Sequence, residues 1–99
     1  MTEEAKTVEV VRNEDEGRWE ADVGGALALL TYDERDGKLY LLHTEVPPEA
    51  EGQGIGGKLV KAALEHARGA GMKVVPFCAF AKAYLQRHKE YGDLVATEH

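Results

Sequence analysis

Eight consecutive residues, Glu51-Gly52-Gln53-Gly54-Ile55-Gly56-Gly57-Lys58, place four glycines just ahead of an apolar-periodic run. Crowded glycines let a backbone come close to a ligand and leave its N–H groups free, and a helix starting there adds the positive end of its dipole. The chemistry such a segment serves is the cradling of a phosphate. Two phosphate-binding patterns fit in part and then fail. Gly52, Gly57 and Lys58 match most of G-x-x-x-x-G-K-[ST], but Leu59 offers no hydroxyl for Mg²⁺. Gly52, Gly54 and Gly57 match G-x-G-x-x-G. That pattern needs an acidic residue about 20 positions on for the ribose; no Asp or Glu stands between Glu65 and Glu90. Pro47-Pro48 also makes the approach to the glycines longer and stiffer than a tight βα turn. An ordinary glycine-rich strand-to-helix loop is the chemically silent alternative.

Other reactive side chains stand at informative spacings. His43 and Glu45 are two apart in a strand-like run, so they face one side together, and either can take up a proton. Tyr84 and His88 are spaced i, i+4 and share a helix face. Cys78 directly precedes a helix-forming run, whose dipole favours a thiolate there. Each has a plain structural counterpart: a surface pair, a partly buried aromatic pair and a buried cysteine.

The elements that must position these groups read as follows. Val8, Val10 and Val11 suggest a first strand, and Asn13 to Gly17 an acidic hairpin turn. Trp19, Ala21 and Val23 alternate with Arg18, Glu20 and Asp22, a half-buried strand. Gly24-Gly25 reads as a bend or bulge, after which Ala26 to Tyr32 continues as strand. A turn over Asp33 to Gly37 leads into a strand over Lys38 to Val46. Ile55, Leu59, Val60, Ala63, Leu64 and Ala67 fall on one face of a helix that Gly69 and Gly71 end. Val74-Val75-Pro76-Phe77 is a short strand parallel to Lys38–Val46, with Pro76 marking a strand end or splay. A second helix spans Ala79 to Lys89, and Asp93 to Ala96 forms a last strand or tail. The pattern predicts an α+β fold: a mixed, mostly antiparallel sheet with helices packed on it and one right-handed βαβ crossover.

Ninety-nine residues make one domain, with its core over about residues 8–96. A formal net charge of −6 argues against a nucleic-acid partner, which needs clustered Lys and Arg, and is compatible with a small amine. Cys78 is the only cysteine, so no internal disulfide framework exists and a reducing compartment fits. Met1 to Lys6 lacks the apolar run of a signal peptide. No stretch approaches the roughly 18 apolar residues of a membrane span, and the cytoplasm is the expected setting. The four histidines and one cysteine show no metal-ligand spacing. His66 and His99 read as surface residues and Trp19 as core.

Residues 51–56 also nearly satisfy [Q/R]-x-x-G-x-[G/A], the cofactor loop of acyl-CoA-dependent N-acetyltransferases. Two further segments agree. His43-Thr44-Glu45-Val46-Pro47-Pro48 precedes Gly52-Gln53-Gly54-Ile55-Gly56, and Pro76-Phe77-Cys78-Ala79-Phe80-Ala81 is followed by Tyr84, His88, Glu90 and Tyr91. In this order the three motifs resemble the GCN5-related (GNAT) superfamily, more narrowly its small single-domain branch. One position departs from the pattern: Glu51 stands where Gln or Arg is usual.

The resemblance implies an acetyl-CoA-dependent N-acetyltransferase and an amine acceptor. Coenzyme A would lie with its diphosphate on the N–H groups of Gln53, Gly54, Ile55, Gly56, Gly57 and Lys58. Its pantetheine arm would pair with the strand edge at Glu45 and Val46. Lys58 either adds charge or is an ordinary exposed helix residue. Cys78 would accept or orient the acyl group, Tyr84 would protonate the leaving thiolate, and His88 would contact cofactor or hold Tyr84. His43 or Glu45 would take the proton of the attacking ammonium. A non-catalytic acyl-CoA-binding or interaction module on the same fold is the alternative in another class. The acceptor, the oligomeric state and the pathway are not legible.

Overall fold

The computed structural model describes residues 8–96; His99 and the Met1–Lys6 segment lie outside them. Five strands form one sheet in the order β1-β2-β3-β4-β5. They are β1 (Val10–Asn13), β2 (Arg18–Val23), β3 (Ala26–Arg35), β4 (Lys38–Glu45) and β5 (Lys73–Pro76). The first three pairings are antiparallel and β4–β5 is parallel. Helix α1 (Ile55–Ala70) bridges β4 and β5, and α2 (Ala79–Arg87) follows β5.

Alternation decides which face is covered. Trp19 and Ala21 on β2, Ala28 and Leu30 on β3, and Leu39 and Leu41 on β4 are all buried. They pack with the apolar stripe of α1 (Ile55, Leu59, Val60, Ala63, Leu64, Ala67) and with Ala81 and Leu85 of α2 in one core. The opposite face carries Glu20, Asp22, Leu27 and Leu42, and among the described residues no helix covers it.

Two turns differ from the expectation. Gly24 and Gly25 do not bend a continuing strand; they are the two-residue turn between β2 and β3, which pair from Val23↔Ala26 onward. Their φ values of 63° and 91° are both positive. Asp36 and Gly37, at 54° and 75°, do the same between β3 and β4. Positive φ at both central residues is the turn geometry whose twist matches a right-handed hairpin. Asp33 and Glu34 are therefore strand, opposite Tyr40 and Leu39. Helix α1 runs through Gly69 and stops at Gly71, whose φ of 70° closes it with N–H bonds to the Ala67 and Arg68 carbonyls.

His66, expected at the surface, is half-buried: it lies edge-on to Trp19 at 5.5 Å and 3.2 Å from Glu34 Oε2. The expected final strand is mostly a 3-10 turn, Lys89–Leu94, followed by a single parallel bridge, Val74↔Val95. That turn is tied to α1. Tyr91 donates to Glu65 Oε2 at 2.5 Å, and Arg68 pairs with Asp93 at 3.2 Å.

The Glu65 bond and burial push the Tyr91 phenol up to about 12. A raised phenol stabilises the fold fully below the ordinary tyrosine value near 10, and that contribution fades as pH climbs through the folded value. Tyr91→Phe should cost about 1 kcal/mol at neutral pH. It should also flatten the loss of stability that the wild type shows between roughly pH 10 and 12. Urea unfolding at a series of alkaline pH values checks both.

Candidate functional site

The site is built where β4 stops being an ordinary strand. Tyr32 pairs with Leu41, but its neighbour Thr31 pairs with His43, so Leu42 is an extra residue on β4. Such a bulge shifts the phase of every side chain after it. Strict alternation from buried Leu39 and Leu41 would turn His43 and Glu45 inward. Instead Leu42 and His43 are both exposed, and Thr44 and Val46 are the half-buried positions. His43 and Glu45 project from the uncovered face as a pair, 62% and 63% exposed, with His43 Nε2 3.1 Å from Glu45 Oε2.

The β5 side ends at the same point. The parallel ladder closes at Leu41↔Pro76. Pro76 has no N–H to extend it. The N–H groups of Phe77 and Cys78 both donate to the Leu41 carbonyl, at 2.9 and 3.1 Å, and the chain turns away into α2. The splay expected at Pro76 is present, and the edge of β4 beyond Leu41 parts from β5.

The glycine loop faces that parted edge. Gly52 and Gly54 hold φ of 86° and 76°, and a Cβ built on either would meet nothing within 4 Å. Gly54 is the N-cap of α1 with no side-chain cap bond, and the first turn has no acidic residue. The N–H groups of the first turn thus have neither a helical partner nor a side chain to bind. Lys58 is the correction to the expected set: its N–H already donates to the Gly54 carbonyl at 3.1 Å, leaving only its exposed ammonium to reach an anion. Gln53 is exposed in the loop.

Between loop and strand lies a cleft of ≈ 360 Å³, lined by Thr44, Val46, Ala50, Gly54, Gly56 and Phe80 among others. A second hollow of ≈ 420 Å³ touches Leu27, Glu45, Pro47 and Pro48 and shares Thr44, Val46 and Glu51 with the first. The two meet at the end of β4.

The remaining candidates divide by position. Cys78 is the N-cap of α2, 7% exposed, with Sγ 3.1 Å from Thr44 Oγ1. It stands behind Thr44 and reaches the cleft through it. Tyr84 lies beside the cradle, and a Cβ on Gly57 would touch its ring at 3.4 Å. His88 stacks on Tyr84 with centroids 3.9 Å apart. Burial, then Glu90 and Glu65, raise the Tyr84 phenol above its ordinary range. Thr44, Ala50, Glu51, Gly52 and Phe80 also line the cleft, outside the expected set of site residues. Phe80 is four residues before Tyr84, so helical spacing puts both along one face of α2, and His88, the residue that caps that helix, stacks on Tyr84. Among the described residues no group of His, Cys, Asp or Glu is arranged to hold a metal ion. None of their helices is long and apolar enough to cross a membrane.

A family model described as GCN5-related N-acetyl-transferase matches residues 18–94. The chain belongs to that family. The GCN5-related fold is seen again in the solution structure of a GCN5-like protein from Staphylococcus aureus. It is 34% identical, covers 95% of this chain and 93% of its own, and superposes with a TM-score of 0.72. Both findings agree with the mixed sheet expected from the pattern of the chain, and family and fold together support acyl transfer as the general chemistry.

Proposed function

We propose that this GCN5-related protein is an acetyl-CoA-dependent N-acetyltransferase that moves an acetyl group to an amine. One observation carries the proposal: an uncapped, glycine-built helix start opens on a cleft whose opposite wall is the parted end of β4. The residues present fit coenzyme A. Gly52 and Gly54 adopt backbone angles that L side chains rarely adopt, and no internal packing requires their lack of a Cβ. Open amides at a helix start suit a diphosphate.

When bound, acetyl-CoA supplies an activated acetyl thioester. The N–H groups of Gln53 to Gly57 hold the diphosphate, and the Lys58 ammonium adds charge. The edge of β4 at Glu45 and Val46 pairs with the amides of the pantetheine arm as a strand would. Thr44 Oγ1, fixed by Cys78 Sγ, offers a polar contact inside the cleft.

The acceptor amine approaches from the other hollow, which Glu45 lines with His43 beside it. Their Nε2 and Oε2 atoms, 3.1 Å apart, form a place for the proton an ammonium must lose. Tyr84 Oη keeps its proton through the neutral range and serves as donor to the departing thiolate. His88 holds the Tyr84 ring by stacking. Cys78 acts through Thr44. A reducing, cytoplasmic setting suits the lone thiol.

A thermal-shift titration tests the assignment. Acetyl-CoA at 100 times its Kd should stabilise the fold by about 2.7 kcal/mol, while ATP and NAD leave the melting temperature unchanged. No shift at saturating acetyl-CoA would remove the proposal. Turnover of acetyl-CoA against a panel of amines then identifies the acceptor.

A further inference from the structure

Glu51 stands where the family pattern has Gln or Arg, and the acyl-transfer function gives that departure no role. The residue closes the 3-10 turn Pro48–Ala50, and its N–H donates to the Pro48 carbonyl at 3.2 Å. Its amide is therefore occupied inside the turn and does not join those at the start of α1. What Glu51 contributes is its side chain. The residue is exposed, and among the described residues no Lys, Arg or His pairs with it.

Glu51 is also the one charged residue that lines both the cofactor cleft and the acceptor hollow. On the cleft side a carboxylate opposes a bound diphosphate, because like charges repel. On the acceptor side the hollow has an apolar wall of Leu27, Val46, Pro47 and Pro48, and its charged lining residues are Glu45 and Glu51. A neutral or anionic acceptor would leave two carboxylates uncompensated beside the diphosphate. An apolar stem with a cation at each end matches the wall and both carboxylates.

We infer that the acceptor is a short aliphatic diamine and that Glu51 is the residue that selects it. This inference rests on the N-acetyltransferase function proposed above and names the acceptor class of the same site. One ammonium gives its proton to the His43–Glu45 pair. Its nitrogen then bonds to the acetyl carbon as the C–S bond breaks, and Tyr84 protonates the leaving thiolate. The other ammonium, with an ordinary pKa of about 10.4, stays charged beside Glu51. There it offsets the charge that Glu51 presents to the diphosphate. Diamine and coenzyme A should therefore each strengthen the binding of the other.

The experiment is calorimetric titration of CoA at low ionic strength into wild type, Glu51→Gln and Glu51→Asp. Each titration is run alone and with saturating diaminobutane, butylamine or aminobutyrate, and circular dichroism establishes that each variant is folded. In wild type, diaminobutane should tighten CoA binding about two- to fivefold, the range of an exposed charge pair. Butylamine should do less, aminobutyrate should do nothing, and added salt should erase the effect. Glu51→Gln should bind CoA by itself more tightly than wild type and should not respond to diaminobutane; Glu51→Asp should keep part of the response. A wild type whose CoA affinity ignores diaminobutane, or a response that Glu51→Gln retains in full, overturns the inference. The acyl-transfer proposal stands in either case as long as CoA binds and some other amine is acetylated. A wild type that binds neither CoA nor acetyl-CoA overturns the proposal and the inference with it.

Discussion

Gly54→Val should abolish the thermal stabilisation that acetyl-CoA gives the wild-type protein and lower the melting temperature in the absence of ligand as well. Gly54 caps α1 at φ 76°. For an L residue the left-handed region costs roughly 1–2 kcal/mol, and a β-branched residue fits it worst. In a domain of this size, each kcal/mol shifts the melting temperature by roughly 4–8 °C. The loss of binding has a separate cause: relieving that strain turns the first-turn amides away from the cleft. Two other glycines distinguish the effects. Gly24→Ala imposes the same kind of strain, at φ 63°, in a hairpin turn outside the cleft. It should lower the melting temperature and keep the full acetyl-CoA shift. Gly69 sits inside α1 with open space around it and ordinary helical backbone. Gly69→Ala should stabilise by about 0.5–1 kcal/mol and bind normally. A full acetyl-CoA shift in Gly54→Val would show that the loop is not the anion cradle.

Tyr84→Phe should lower kcat by roughly 10²–10⁴-fold, the range of a lost general acid, with little change in KM. Phenylalanine keeps the ring stacked on His88 and against Gly57, so only the hydroxyl is deleted. An effect confined to kcat identifies an interaction made in the transition state rather than in substrate binding. The pH profile adds a second signature. Burial and the carboxylates of Glu90 and Glu65 hold the Tyr84 proton above the ordinary tyrosine range. The alkaline fall in kcat due to this group should therefore begin only above about pH 10, and it should vanish in Tyr84→Phe. Equal turnover of wild type and variant would move the proton donor elsewhere, with the Thr44–Cys78 pair the next candidate.

Much of this arrangement follows from residue types over short spans. The apolar stripe from Ile55 to Ala67 makes α1 wherever it is placed, because a 3.6-residue period leaves one face to bury. The crowded glycines at 52, 54, 56 and 57 announce free amides at its start, and Pro76 announces the end of a ladder. Tyr84 and His88 had to share a face, and they stack. Other features were not legible. Gly24-Gly25 reads equally as a bulge or as a turn, since both use positive φ; only the pairing of Val23 with Ala26 separates them. Asp33 and Glu34 look like turn residues by composition, yet cross-strand partners hold them in β3.

Local chemistry dictates that this chain has a glycine-built helix start, a strand carrying His43 and Glu45, and a short strand that ends at Pro76, because each depends on a few neighbouring residues. Three-dimensional packing sets which way those groups face. The run Leu39-Tyr40-Leu41-Leu42-His43 has no clean alternation, and the bulge at Leu42 arises only when β3 supplies its register. That bulge sends His43 and Glu45 to the uncovered face, where Glu45 lines one hollow, and Thr44 and Val46 to the border of both. Likewise Gly56 and Phe80 are 24 positions apart and meet only because α2 docks on α1. Register and docking are properties of paired surfaces, so no single segment encodes them.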